Sequence, residues 1–418
     1  MGVGLLRHSR KPMLSPLAPN LPAQRPPRPC PVCDSTGPRT VLHQQRFFEG
    51  PLGDGYDVVV CDKCGAGFAD GIPSQDELDR YYAERSKYTY AHNDGAESLF
   101  DLKRFEKIAD QVEAHLPDKA ARILDIGCAT GGLLAELKKR GYRNLVGSDP
   151  SPACAIAARR LYDLEVRTVT LREHALWSER FDAVLLVGVL EHLRDVLPAV
   201  RSALSLLGPD GLLYCAQPDV EAFAECANAP YQQFSTEHVN FFSRESLTRL
   251  LAEAGLAPSE MWRWMVEWRE CITDSVVSGI FVFGRTGIAK DCVTGSALRS
   301  YLAVTAVQET VAIERIEELV RTQEPVLIWG AGTLTRRLLA TSRLGEGNIT
   351  AFVDANPAYT GERLMERRVI SPTDLAGRGE TILICSQVFD AEIRRMIRDQ
   401  LHLTNLIRSL YLTNDVAT

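Results

Sequence analysis

Hydrophobic positions fall into short blocks along the middle of this chain, each followed by a helical stripe. That alternation predicts parallel βα units. Arg122–Ile126 reads as a strand, and a helix opening at Gly132 carries Leu133, Leu134 and Leu137 on one face. Asn144–Gly147 predicts a second strand, Pro152–Leu161 a helix and Val166–Val169 a short strand. Phe181–Val187 (FDAVLLV) has the near-continuous apolar run of a parallel strand covered on both faces. Leu197–Leu207 then predicts a helix terminated by Gly208, Gly211–Ala216 a fifth strand, and a further helix capped by Ser243 and ended near Gly255. The pattern resumes with a long helix over Ala297–Thr322, marked by Leu302, Ala306, Ile313, Ile316 and Val320. A second, smaller βαβ unit follows in Val326–Trp329, Leu334–Ser342 and Ile349–Val353, which ends in Asp354.

The junction of the first strand and helix carries the first chemistry. It reads ILDIGCATGG over residues 123–132, and an acidic residue, Asp149, closes the next strand in NLVGSDPS. Glycines in such a turn let backbone approach a ligand more closely than any Cβ allows. Asp149 is then placed to accept both hydroxyls of a ribose at the carboxyl ends of parallel strands. The spacing departs from the GxGxxG dinucleotide fingerprint. Its D-x-G-x-x-x-G form is similar to motif I of the class I methyltransferases. That resemblance implies S-adenosylmethionine (SAM) bound by Asp125, Gly127, Cys128, Ala129 and Gly131, with Asp149 and Pro150 at the ribose. Gly188–Asp195 (GVLEHLRD) resembles the segment after the fourth strand of that fold, which lines the cofactor, and brings in Gly188 and His192. His192 has a catalytic and a structural reading. We take the structural one, a histidine at a helix start that orients a loop by hydrogen bonding.

Near the front, Cys30-Pro-Val-Cys33 and Cys61-Asp-Lys-Cys64 form two CxxC knuckles 27 residues apart. Four thiolates so placed suit the tetrahedral shell of a structural zinc, closed to water and without catalysis of its own. Few basic residues between Arg46 and Phe68, and a net charge of −7, disfavour a nucleic-acid partner. Eleven cysteines without an export signal point to a reducing, cytoplasmic setting. No apolar run is long enough to span a bilayer. Residues 1–28, rich in Pro and Arg, predict a disordered tail.

The segment after the fifth strand, Phe234–Ser243 (FSTEHVNFFS), sets His238 beside Glu237 among aromatics. An imidazole in a partly desolvated aromatic pocket can act as a general base near neutral pH.

Taken in order, the zinc knuckles, a Tyr-rich helix, the SAM domain, the EHVxF(F/Y)S loop and a last α/β unit resemble the sugar C-methyltransferases that branch nucleotide-linked deoxysugars. The likeness covers nearly the whole chain after residue 28. It implies structural zinc on Cys30, Cys33, Cys61 and Cys64, and Glu237 and His238 beside the sugar, with His238 as base. It also implies a tyrosine from the segment 81–90 in that site; Tyr82 is our choice, with Tyr88 and Tyr90 as alternatives. Two departures stand out: no Gly-rich substrate loop in Thr273–Gly279, and WGAGTLTRR where the family carries a Lys-bearing glycine turn. In that turn Arg336 and Arg337 read either as partners of a pyrophosphate or as a solvated face. A related reading is O-methylation of a sugar or glycan hydroxyl.

The expected architecture is therefore α/β throughout. A zinc-ribbon-like module over 29–75 precedes a Rossmann-like methyltransferase domain over 76–290, a helical connector over 291–322 and a smaller Rossmann-like domain over 323–418. The expected partner is a small molecule, a nucleotide-linked sugar, with no nucleic acid or membrane; the oligomeric state stays open.

Overall fold

The computed structural model describes residues 25–84, 96–269 and 272–411. Most of the expected tail, and Tyr88 and Tyr90, lie outside the described residues. The chain opens with β1 (Arg39–Arg46), β2 (Gly55–Cys61) and β3 (Gly67–Asp70), an antiparallel meander. Helices α1 (Gln75–Glu84) and α2 (Leu99–His115) lead into alternating βα units. These are β4 (Arg122–Ile126), α3 (Gly132–Lys139), β5 (Asn144–Asp149), α4 (Pro152–Tyr162), β6 (Val166–Thr168), β7 (Phe181–Val187), α5 (Val196–Leu204) and β8 (Leu207–Pro218). After β8 the chain leaves the sheet, adds the two-residue strand β9 (Asn240–Phe241) to β3, and forms α6 (Arg244–Glu253). It returns with the long hairpin β10 (Leu256–Arg269) and β11 (Ile272–Phe283).

The resulting sheet runs β10-β11-β8-β7-β4-β5-β6, parallel except for β11, which pairs antiparallel with both neighbours. Consecutive strands part to either side of β4 and β7, which opens a crevice above their carboxyl ends. Apolar residues alternate between its faces. Leu124, Ile126, Val184 and Leu186 pack with α5 and α6, while Ile123, Ala183 and Leu185 pack with α2 and α3. Thr294–Thr322 forms the 29-residue α7, and β12 (Val326–Trp329), α8 (Thr333–Thr341), β13 (Ile349–Val353), β14 (Arg363–Leu364), β15 (Arg367–Ile370), β16 (Thr381–Ile384), α9 (Asp390–Arg395) and β17 (Ile407–Ser409) complete the chain. Their sheet has the order β14-β15-β13-β12-β16-β17. Among the described residues no helix is long and apolar enough to cross a membrane.

Some sequence expectations shift. Gly208 does not terminate the helix before it: α5 ends at Leu204, and Gly208 lies inside β8, because Leu206 and Leu207 are buried and the Phe181 N–H donates to the Leu206 carbonyl at 2.8 Å. Thr273–Gly279 belongs to β11, paired along its length with β10. Arg28, at the end of the expected tail, is 1% exposed. Its guanidinium donates to the carbonyls of Arg194 and Val239, both at 2.8 Å, and to the Asn240 side chain at 2.7 Å, above the Phe68 ring. Burial pulls its pKa down to about 9.

The four-stranded and seven-stranded sheets share a core, since Val59, Phe68 and the four knuckle cysteines pack in the same cluster as Leu124 and Val184. Asp291 ties a third element in. Its carboxylate accepts from Ser243 Oγ at 2.8 Å and from the first N–H groups of α7, and its own N–H donates to the Cys64 carbonyl. Gly65 lies against it with φ +86°, and a Cβ there would sit 1.8 Å from the Asp291 carbonyl oxygen. Only glycine fits.

Arg28→Ala is expected to destabilise the chain by about 3 kcal/mol, since several buried carbonyls lose their donor. Arg28→Lys is expected to restore little, because a point charge cannot fork to partners on two segments. Urea unfolding of the two variants measures both.

Candidate active site

The crevice above β4 and β7 is a cavity of about 710 Å³. Its first half is the turn after β4. Gly127 has φ +73° and Ala129 φ +48°, so the chain doubles back tightly enough to leave backbone facing the cavity. The Asp149 carboxylate at the end of β5 accepts the N–H of Ala129 at 3.0 Å and of Ser151 at 2.9 Å. Burial raises its pKa. Pro150 and Gly188 also line the cavity, as do Thr170 and Leu171 from the segment after β6. Asp125, Cys128 and Gly131, named with them from the sequence, lie behind this wall. Asp125 is 3% exposed, and its pKa is pushed up to about 8 by burial and then by the charge of Asp149. Cys128 is buried with the apolar side chains of α3. Gly131 takes a left-handed conformation at the N-cap of α3.

The other half gathers residues distant in sequence. The Val239 N–H donates to the Glu191 carbonyl at 2.7 Å, and Asn240 Nδ2 reaches the carbonyls of Leu190 and Leu193, both at 2.7 Å. These bonds clamp the loop before β9 onto the turn after β7. The imidazoles of His192 and His238 consequently meet edge to face, with ring centroids 4.9 Å apart. Tyr82, from α1, places its hydroxyl 3.0 Å from His192 Nδ1, which is also 3.1 Å from the Glu237 carbonyl oxygen. A carbonyl only accepts, so both contacts are met when Nδ1 carries the proton. Nε2 then faces the Glu191 carboxylate at 3.8 Å. The Glu237 carboxylate accepts from the Tyr81 hydroxyl at 2.8 Å, and the His238 N–H donates to Ser235 Oγ at 3.0 Å. Burial pushes the Tyr82 phenol well above its ordinary range, and the nearby carboxylates of Glu237 and Glu191 add to this. The three residues named as catalytic from the sequence, Tyr82, Glu237 and His238, therefore all line one cavity, together with His192.

Sequence reading missed the wall supplied by the β10–β11 hairpin. Trp264, Val266 and Trp268 alternate along β10 and line the cavity with Asp274 and Ser275 of β11. The signal was present in MWRWMVEW, where Trp262, Trp264, Val266 and Trp268 fall on every second position, the period of a strand. Glu191 and Tyr81 were also passed over.

Away from the cavity, Cys30 Sγ lies 3.6 Å from Cys64 Sγ, and Cys33 Sγ 3.8 Å from Cys61 Sγ. Sulfurs bound to zinc at about 2.3 Å in a tetrahedron stand about 3.8 Å apart, so the four buried thiols fit that ion. Hydrogen bonds from Cys30 and Cys64 hold the Cys61 thiol far below its ordinary range, while the bond with Cys61, and then burial, push the Cys30 thiol up to about 12.

The turn after β12 contrasts with the turn after β4. Arg336 and Arg337 are buried and committed to the protein, in place of either a pyrophosphate or a solvated face. Arg336 donates to the Ala331 carbonyl at 3.0 Å, to the Glu49 carbonyl and to Glu362, and Arg337 pairs with Glu309. The Asp354 carboxylate accepts the Ala331 N–H at 2.8 Å.

A family profile described as a methyltransferase domain matches residues 100–260. The chain is 30% identical over 186 residues to the ubiquinone biosynthesis O-methyltransferase of Ruegeria pomeroyi, covering 39% of this chain and 75% of that protein. A protein of the same description from Cereibacter sphaeroides is 28% identical over 207 residues, 42% of this chain and 83% of the relative. Among solved structures, magnesium protoporphyrin IX methyltransferase from Synechocystis with bound SAH aligns at 16% identity and a TM-score of 0.38, over 51% of this chain and 100% of that one.

Burial of Asp125 carries a pH signature. Its folded pKa of about 8 stands above the ordinary 3.8, so between those values the folded chain keeps a proton that the unfolded chain has lost. The stabilisation is complete below the lower value and lost as pH rises through the higher one. The melting temperature of the ligand-free chain is expected to fall over that window, and Asp125→Asn to flatten the fall in thermal melts.

Proposed function

The chain belongs to the class I SAM-dependent methyltransferases, and we propose that it methylates a carbon next to the keto group of a nucleotide-linked deoxysugar. The observation that carries this reading is the His192–His238 pair, backed by Tyr82, in the same cavity as the Gly127–Ala129 turn and Asp149. SAM would lie over that turn, with its ribose on Asp149 and its adenine near Thr170 and Leu171. The methyl would then point to the half of the cavity that holds the imidazoles.

His238 takes the proton α to the carbonyl. The C–H electrons pass to the carbonyl oxygen as an enediolate, whose carbon attacks the SAM methyl in line with the departing sulfur. The products are the branched sugar and S-adenosylhomocysteine, and the proton leaves His238 to solvent. The carbonyl acidifies that C–H bond, so one positioned base suffices. The rest of the acceleration is proximity in a site walled by Trp264 and Trp268. Glu237 contributes through its carbonyl, which orients His192, and through its carboxylate, which accepts from Tyr81. The four-cysteine cluster would hold structural zinc that supports β2 and β3. A small-molecule acceptor needs neither nucleic acid nor membrane.

The curated relatives favour a second reading, since both are O-methyltransferases by name. There the same imidazole takes a hydroxyl proton and oxygen attacks the methyl. Transfer from SAM with an isotopically labelled methyl group to a panel of nucleotide-linked 4-ketosugars in deuterated water separates the two. Methylated carbon, with solvent deuterium entering beside the carbonyl, is expected. Label on a hydroxyl without exchange would replace the first reading by the second. His238→Ala is expected to lower kcat by about a hundredfold or more while leaving the SAM Kd nearly unchanged. Stopped-assay kinetics together with calorimetric SAM binding read both numbers.

A further inference from the structure

We propose that Glu191, His192 and His238 form a three-ligand site for a borderline divalent cation such as Co²⁺ or Zn²⁺, distinct from the cysteine cluster. The three residues each offer a ligand atom, and these atoms all lie within 4.8 Å of one another. Glu191 Oε1 and His192 Nε2 are already 3.8 Å apart. Ligands bound tetrahedrally at about 2.1 Å stand about 3.4 Å apart, so a modest inward turn of the His238 ring closes the set on an ion. Two imidazoles and one carboxylate are the donor set that borderline ions take, and three protein ligands leave positions open toward the cavity.

Three further features fit an ion better than a chance grouping. The Nδ1 contact of His192 with the Glu237 carbonyl, at 3.1 Å, fixes the tautomer that turns the Nε2 lone pair toward Glu191. A backbone carbonyl on the far nitrogen is the support that metal-binding histidines commonly have. The Glu191 side chain is only 5% exposed, so its carboxylate is presented in one direction instead of sweeping through solvent. The backbone bond from Val239 to Glu191 holds the two ligand-bearing segments in register before any ion arrives.

Occupancy would have a functional cost. The ion engages the lone pair that His238 needs to take a proton, so loading this site stops transfer. That half of the inference rests on His238 being the base; the site itself rests on the ligand geometry. The enzyme would then be open to inhibition by free zinc-class ions at a locus unconnected with its structural metal.

The test is a Co²⁺ titration of the full chain with its cysteine cluster zinc-loaded, followed by visible absorption and equilibrium dialysis, with methyl transfer measured on the same samples. One equivalent of Co²⁺ with weak d–d bands is expected, bound about tenfold or more weakly in both Glu191→Gln and His238→Ala. Transfer by the wild type is expected to fall in proportion to occupancy and to recover on chelation. His238 is only half buried, so its variant keeps the test decisive if Glu191→Gln fails to fold. Cobalt found only at thiolates, seen by the intense near-ultraviolet sulfur-to-cobalt band, would overturn the site. So would binding unchanged in a folded His238→Ala. Binding with undiminished transfer would leave the site standing and overturn His238 as the base.

Discussion

The arrangement of the active site depends on one short seam of backbone hydrogen bonds. Glu191 and Val239 are far apart in sequence, yet the carbonyl of one accepts the N–H of the other at 2.7 Å. Asn240 and the buried Arg28 guanidinium fill the remaining carbonyls on both sides of this seam. Backbone polar groups buried away from water must be paired, and here they are paired with each other across two loops. The two imidazoles and Tyr82 meet because the loops that carry two of them cannot separate without exposing that whole set of donors and acceptors.

Much of this was readable in the chain. Phe181–Val187, Val326–Trp329 and Ile349–Val353 are strands over the very residues that their apolar runs indicated. Ser243 caps α6 as its position suggested. Local signals of this kind survive folding because the same residues that produce the pattern are those that are buried. The cysteine tetrad was legible for a related reason, since its spacing reflects the ligand geometry that four thiols can reach.

What escaped reading was set by partners elsewhere in the chain. Gly208 looked like a helix terminator, but strand pairing with Phe181 claimed its neighbours. Arg336 and Arg337 looked free at a helix start, yet the Glu49 carbonyl and the carboxylates of Glu362 and Glu309, remote in sequence, hold their guanidinium groups. Arg28 sat in a Pro- and Arg-rich stretch with no pattern to mark it as a core residue. A cation carries no sequence signature of its counter-charges. The aromatic face of β10 was different, since its two-residue period was visible and only its destination was not.

The pairing of β3 with β9 reaches beyond packing. The strand after the His238 loop hydrogen-bonds not to the central sheet but to the meander that carries the cysteines. The matched methyltransferase segment, residues 100–260, contains that strand without its partner. The segment that carries His238 is thus not a detachable cassette. In an exchange of parts between homologous genes, a crossover between the cysteine meander and residue 100 would join a loop to a sheet edge that had not co-evolved with it. Inheritance of acceptor chemistry in such a chain would run through the front and the middle as one linked block.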